Sequence, residues 1–217
     1  MYILKNIKKI FKDFVLEIND LHIKKKQLYV VTGPNGSGKT TFLKILGFLY
    51  YISSGEIFID KKKVNYNDKE FLVKKRRKIA YLFQNPYLFN ASIYDNIVCG
   101  LKIRGYNNYT IKKKFNDVCN KLEINNLIEK NIFNLSGGEI QKIAFARTLI
   151  LDTSIFIFDE PVSSMDEKSI NNVENIIQSI PEEKESTVIV TTHSKDQAIK
   201  MTKNRISFVN GKINNVG

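Results

Sequence analysis

The chain has 217 residues, 43% of them hydrophobic, and carries a formal net charge of +12. That length suits one domain with room for a small inserted subdomain, and the hydrophobic share excludes a disordered chain. No run approaches the ~18–20 apolar residues of a membrane span: the longest, TFLKILGFLYYI from Thr41, is broken by Lys44, and MYILKNIKKIFKDF lacks the continuous apolar centre of a secretory signal.

A cytoplasmic chain is therefore expected. The positive charge suits anionic partners such as nucleotides, nucleic acid or an anionic membrane face. The basic clusters at Lys24 to Lys26, Lys61 to Lys63, Lys74 to Lys78 and Lys112 to Lys114 are dispersed and lack regular aromatic interleaving, so nucleic acid is not the expected partner. Cys99 and Cys119 have no metal-type spacing and read as free thiols in a reducing compartment.

In chain order, alternation in Phe14, Leu16 and Ile18, and later in Ile57 and Ile59, predicts an antiparallel sheet over roughly residues 1–30 and 54–83. Leu28 to Thr32 is an apolar β-rich run. It leads into GPNGSGKT at Gly33 to Thr40, followed by Phe42, Ile45, Leu46 and Leu49 at helical spacing. Strand, glycine loop and helix are the context in which G-x-x-x-x-G-K-[ST] binds phosphate. The loop of Gly33, Pro34, Asn35, Gly36, Ser37, Gly38, Lys39, Thr40 and Thr41 curls so that its backbone N–H groups, all but the one proline lacks, point at phosphate oxygens, aided by the helix N-terminus. Lys39 supplies a charge to the β- and γ-phosphates, and the Thr40 hydroxyl is a ligand for Mg²⁺.

From about Asn85 to Asn134 the pattern is helical, with Phe115, Val118, Cys119 and Leu122 on one face. Its start, NPYLFNASIYDNI, offers Tyr87, Leu88, Phe89 and Tyr94, of which at least two are expected in the local core and the others at an interface. NLSGGEIQK follows, Asn134 to Lys142. Ser136 and Glu139 form the S-x-x-E capping pattern, and Ile140, Ile143 and Ala144 give an apolar helix face. Two glycines in a first helical turn cost about 1 kcal/mol each relative to alanine. They suggest that something must approach this backbone closely, as a phosphate does. In SIFIFDEP, the apolar run Ile155 to Phe158 predicts a buried parallel strand ending in Asp159 and Glu160. At the ligand edge of an open α/β sheet, Asp159 would join the Mg²⁺ shell and Glu160 would polarise the attacking water.

These motifs make the chain resemble the ATP-binding-cassette family of nucleotide-binding subunits over essentially its whole length. Besides the loop and the Asp159–Glu160 strand, YLFQNP places Gln84 at the Q-loop and LSGGE is the family signature. SSMD, Ser163 to Asp166, lies at the D-loop, and VTTHS puts His193 at the switch histidine. Phe11 stands where the family stacks an aromatic on adenine, with Phe14 as its rival. Taken alone, His193 reads as a structural histidine and Gln84 carries nothing; their order gives them weight. His22 matches no motif.

The departures are D-E-P-V-S-S-M-D for D-E-P-T-S-A-L-D, Lys142 for the usual arginine and Gln27 for a common glutamate, none of them a phosphate ligand.

The resemblance implies an α/β P-loop NTPase (RecA-like) core, residues 1–84 and 135–217, with an antiparallel β subdomain and an inserted helical subdomain, 85–134, all in one domain. It implies ATP and Mg²⁺ as cofactors, catalysis by Glu160, His193 and Gln84, and Gln84 as a metal ligand beside Thr40 and Asp159. It also implies a head-to-tail second subunit, most simply a homodimer, in which Ser136, Gly137 and Gly138 complete the neighbour's nucleotide site, and it makes Asp166 of the D-loop a further nucleotide-binding residue. A polytopic membrane permease, and for importers a substrate-binding protein, would be further partners, holding the chain at the inner face of the cell membrane. The stretch up to GLKIRG is similar to ATPases of oxyanion importers (tungstate, molybdate, phosphate), and no C-terminal regulatory domain is expected. A cassette serving a cell-division-like membrane complex or a soluble assembly stays open as the alternative.

Overall fold

The computed structural model describes residues 1–216. Its strands are β1 (Tyr2–Ile10), β2 (Val15–Ile23), β3 (Leu28–Thr32), β4 (Ser54–Ile59), β5 (Lys62–Lys63), β6 (Ile79–Leu82), β7 (Ile155–Phe158), β8 (Thr187–Thr191), β9 (Arg205–Val209) and β10 (Lys212–Val216). The helices are α1 (Lys39–Leu46), α2 (Lys69–Arg76), α3 (Ile93–Ile103), α4 (Asn108–Lys121), α5 (Gly137–Leu149), α6 (Glu167–Glu183) and α7 (Lys195–Met201). The ten strands form one mixed sheet in the order β5-β4-β1-β2-β10-β9-β3-β8-β7-β6.

Strands β3, β7 and β8 are almost wholly apolar because both their faces are covered. Alternate side chains go to opposite sides. Val30, Phe156, Phe158, Val188 and Val190 face a core built with α3, α4, α5 and α6. Val31, Ile157 and Ile189 face a second core with α1 and the antiparallel arm. Phe115, Val118, Cys119 and Leu122 are buried in the first core, as their spacing predicts. Leu88 and Tyr94 pack against it, whereas Tyr87 and Phe89 are exposed. Among the described residues no helix is long and apolar enough to cross a membrane.

The antiparallel arm is narrower than expected: it comprises β1, β2, β4 and β5. Leu28 to Val30 belong to β3, which runs parallel to β8 and β9, and residues 79–82 form β6, parallel to β7. Apolar runs alone do not distinguish these pairings; the helical crossovers before β7, β8 and β9 do. Phe14 precedes β2 rather than lying in it. Leu49 falls outside α1, which stops at Leu46 because Phe48 turns left-handed at φ 56°, and it is exposed.

Candidate active site

The loop between β3 and α1 borders a cavity of about 540 Å³, lined by residues 35–41 together with Phe14, Gln84 and Glu160. The loop needs its glycines for two reasons. Gly38 has φ 106°, and a Cβ there would lie 2.7 Å from Leu16 and 3.0 Å from the Phe14 ring. Lys39 is 5% exposed, and its Nζ donates to the carbonyls of Gly33 (2.8 Å) and Pro34 (3.0 Å). Burial lowers its pKa, while the charges of Glu160 and Asp159 pull the other way.

Strand β7 delivers Asp159 and Glu160 to the same edge. Asp159 is 1% exposed; its Oδ1 accepts from Thr191 Oγ1 at 2.8 Å, and its Oδ2 is buried without a partner. An orphaned carboxylate oxygen beside a phosphate loop fits a divalent cation, with the Thr40 hydroxyl as a further oxygen ligand. Glu160 turns left-handed at φ 49°. Its N–H donates to Thr191 Oγ1 (2.8 Å), its Oε2 accepts from Gln84 Nε2 (2.9 Å), and its Oε1 pairs with His193 Nε2. The amide nitrogen of Gln84 is thus engaged by Glu160, leaving only its amide oxygen for a metal. Glu160 is 8% exposed and so oriented can accept a proton from water in the cavity.

The structure brings together the loop, Gln84, Asp159, Glu160 and His193. Five predicted residues lie elsewhere. Phe11 does not line the cavity; Phe14 does. A tight turn, with Phe11 N–H on Phe14 O at 2.8 Å, puts both rings side by side 6.3 Å apart, and Phe11 meets Tyr50 edge-on at 5.8 Å. Asp166 is not at the phosphates of its own chain. It caps α6 by accepting from Ser169 N (2.9 Å) and pairs with Lys142 at 3.3 Å. The Ser169 hydrogen bonds, then Lys142, hold its carboxyl well below the usual range. Ser136 to Gly138 also sit apart, at the start of α5. The capping box forms in both directions, Glu139 N to Ser136 Oγ at 3.3 Å and Ser136 N to Glu139 Oε2 at 2.9 Å.

The expected reason for the two signature glycines needs correcting for one of them. A Cβ on Gly138 would stand 2.6 Å from the carbonyl oxygen of Ser164, so what approaches Gly138 is the chain's own backbone. At Gly137 the nearest such atom is 4.0 Å away, leaving that position open to an outside group.

Sequence reasoning missed Thr191 and Gln141. Thr191 is fully buried and bridges Asp159 and Glu160 from β8. Gln141 is 2% exposed, and its Nε2 donates to the carbonyls of Glu160 (3.3 Å) and Pro161 (3.1 Å). A polar residue amid the apolar positions of α5 is the one sequence signal that could have found it.

A phosphate loop between a central parallel strand and a helix, with a carboxylate pair ending the next strand but one in the sheet, defines a P-loop nucleotide-binding protein. The ABC transporter family profile matches residues 16–163, and the chain belongs to that family. It is 33% identical over 199 residues to the oligosaccharides import ATP-binding protein MsmX of Bacillus subtilis, covering 91% of this chain and 53% of MsmX. It is 31% identical over 208 residues to the phosphate import ATP-binding protein PstB of Staphylococcus saprophyticus, covering 90% and 69%. The chain thus spans about half the length of MsmX and about two thirds of PstB. The dimeric post-hydrolysis structure of the ATP-binding cassette MJ0796, bound to ADP and Pi, superposes with a TM-score of 0.90 at 28% identity, covering 100% of this chain and 98% of that one.

Proposed function

We propose that the chain is the ATP-hydrolysing subunit of an ABC importer, working as a head-to-tail dimer under a separate membrane permease. The observation that carries this is the split between its two anion-binding elements. Glu160, with Gln84 and His193, faces the phosphate loop, while Ser136 to Gly138 lies outside that cavity and has Gly137 open. In this reading Lys39 leaves the Gly33 and Pro34 carbonyls for the β- and γ-phosphates. Thr40, Asp159 and Gln84 would hold Mg²⁺. The ion, when bound, would supply neutralisation of the charge developing on the phosphates. Glu160 takes the proton of the attacking water, and His193 and Gln84 keep its carboxylate aimed. Phe14 and Phe11 form the aromatic edge for the base. Ser136, Gly137 and Gly138 close the neighbour's site, and Asp166 supports them by fixing the start of α6.

Residues 85–134 act as a helical subdomain between the core segments 1–84 and 135–217. Its exposed Tyr87 and Phe89 face the permease and hold the chain at the inner membrane surface. An oxyanion as solute is supported by the stretch up to GLKIRG and by the likeness to the phosphate import protein. A substrate-binding protein would deliver it.

Mixing inactive chains tests the shared site. Lys39→Ala loses ATP binding and Ser136→Arg loses turnover; together they regain part of the wild-type ATPase through one intact composite site. A mixture as inactive as its parents, with heterodimers verified by capture on two different tags, refutes the shared site.

A further inference from the structure

One face of α5 grips the segment that follows β7. Gly138, Gln141 and Lys142 follow each other at helical spacing on that face. The bare Cα of Gly138 admits the Ser164 carbonyl, Gln141 binds the carbonyls of Glu160 and Pro161, and Lys142 pairs with Asp166. Glu160 meanwhile has a backbone that side chains of its kind rarely adopt, at φ 49°. Three hydrogen bonds hold that turn: Gln141 Nε2 and Ser163 N–H each donate to the Glu160 carbonyl, and Gln141 Nε2 donates also to that of Pro161. From the other side Thr191 accepts the Glu160 N–H. Of these, only Gln141 comes from the helix that begins with the signature.

We infer that Gln141 is a positioning residue: it locks the left-handed turn at Glu160 and thereby ties the signature helix to the hydrolytic carboxylate of its own chain. A shift of α5 that seats Ser136 to Gly138 on a neighbour's phosphate pulls, through the same face, on the backbone that aims Glu160. Each chain's grip on its partner's nucleotide therefore sets the readiness of its own site. The inference rests on the proposed role of Glu160 as base.

The test uses Gln141→Leu, which keeps bulk and removes the donor, and Gln141→Glu. For Gln141→Leu, kcat should fall about 10- to 100-fold, the scale of a misplaced catalytic group, with KM for MgATP within about 2-fold of wild type. Amide exchange in the nucleotide-free chain should quicken over residues 159–166 and stay unchanged in the phosphate loop. For Gln141→Glu, an ionised carboxylate would face two carbonyls, whereas a protonated one can donate its single O–H to one of them. Its kcat relative to wild type should therefore climb as pH falls from 8 to 6, burial having raised the introduced carboxyl into that window. Wild-type kcat and exchange in Gln141→Leu overturn the inference. So does a loss of kcat that is matched by KM and melting temperature and has no pH-dependent ratio in Gln141→Glu, since that marks a purely structural residue. The exchange measurement needs no ATPase, so an inactive wild-type chain would refute the proposed function while leaving the Gln141 lock separately tested.

Discussion

The two signature glycines should respond in opposite ways to the same added methyl group. An alanine Cβ at position 138 would lie 2.6 Å from Ser164 O, 3.6 Å from Ser164 C and 3.7 Å from Met165 Cα. Such a carbon does not sit within 3.0 Å of a backbone oxygen, so the D-loop must move by several tenths of an ångström, straining the Lys142–Asp166 contact. Overpacking of this kind costs about 1–3 kcal/mol. At position 137 the nearest atom is 4.0 Å away, and no such term arises. Both substitutions gain up to about 1 kcal/mol of helix propensity. Gly137→Ala should therefore be neutral or stabilising. Gly138→Ala should be less stable than Gly137→Ala by about 2 kcal/mol, roughly 6 °C in melting temperature for a chain of this size. Scanning calorimetry on the dilute, nucleotide-free chain reads this difference without any contribution from a dimer. A Gly138→Ala chain that melts as high as Gly137→Ala would refute the contact with Ser164 as the reason for that glycine.

Three further outcomes are expected. Glu160→Gln should keep ATP binding and lose hydrolysis by ~10²- to 10⁴-fold, the span typical of a general base; turnover near wild type in a phosphate-release assay would remove Glu160 from that role. Thr191→Val removes one hydroxyl that serves both Asp159 and the Glu160 N–H, leaving buried groups unpaired at a cost of about 1–3 kcal/mol; its melting temperature should fall by about 2–12 °C, with weakened Mg²⁺ dependence of ATP binding. In thiol titration at pH 8, Cys99, which is half-exposed, should react first. Cys119, buried and with its thiol pushed up to about 11 by burial, should react only after unfolding; two fast equivalents would contradict that burial.

Local chemistry was legible where it is written into adjacent residues. The phosphate loop, the capping box of Ser136 with Glu139, and the carboxylates ending an apolar strand are each short patterns with their own physics. What stayed hidden depends on contacts between distant residues. Nothing in VTT says that Thr191 lies beside Asp159, because that follows from β7 and β8 being neighbours. The need for Gly138 came from Ser164, which only the packing of α5 on the D-loop reveals. Phe14 outranked Phe11 at the cavity because a turn, not a strand, sets where both rings point. The extent of the antiparallel arm was overdrawn for a related reason: hydrophobic alternation reports burial on a face, not the direction of the neighbouring strand.

Strand β3, which leads into the phosphate loop, has β9 on one side and β8 on the other. Both partners come from residues 187–209, and the ties reach across most of the chain: Lys26 N–H binds Thr187 over 161 positions, and Thr202 reaches the Leu28 carbonyl over 174. During synthesis the loop sequence leaves the ribosome early, but the strand that supports it has no neighbours until β8 and β9 follow. The antiparallel arm, whose β1, β2 and β4 all lie within the first 59 residues, can close long before. Nucleotide binding should thus appear late and abruptly as the nascent chain lengthens, once the entropy of that long closure is overcome. Until then β3 is an exposed apolar edge, the segment most in need of protection from aggregation.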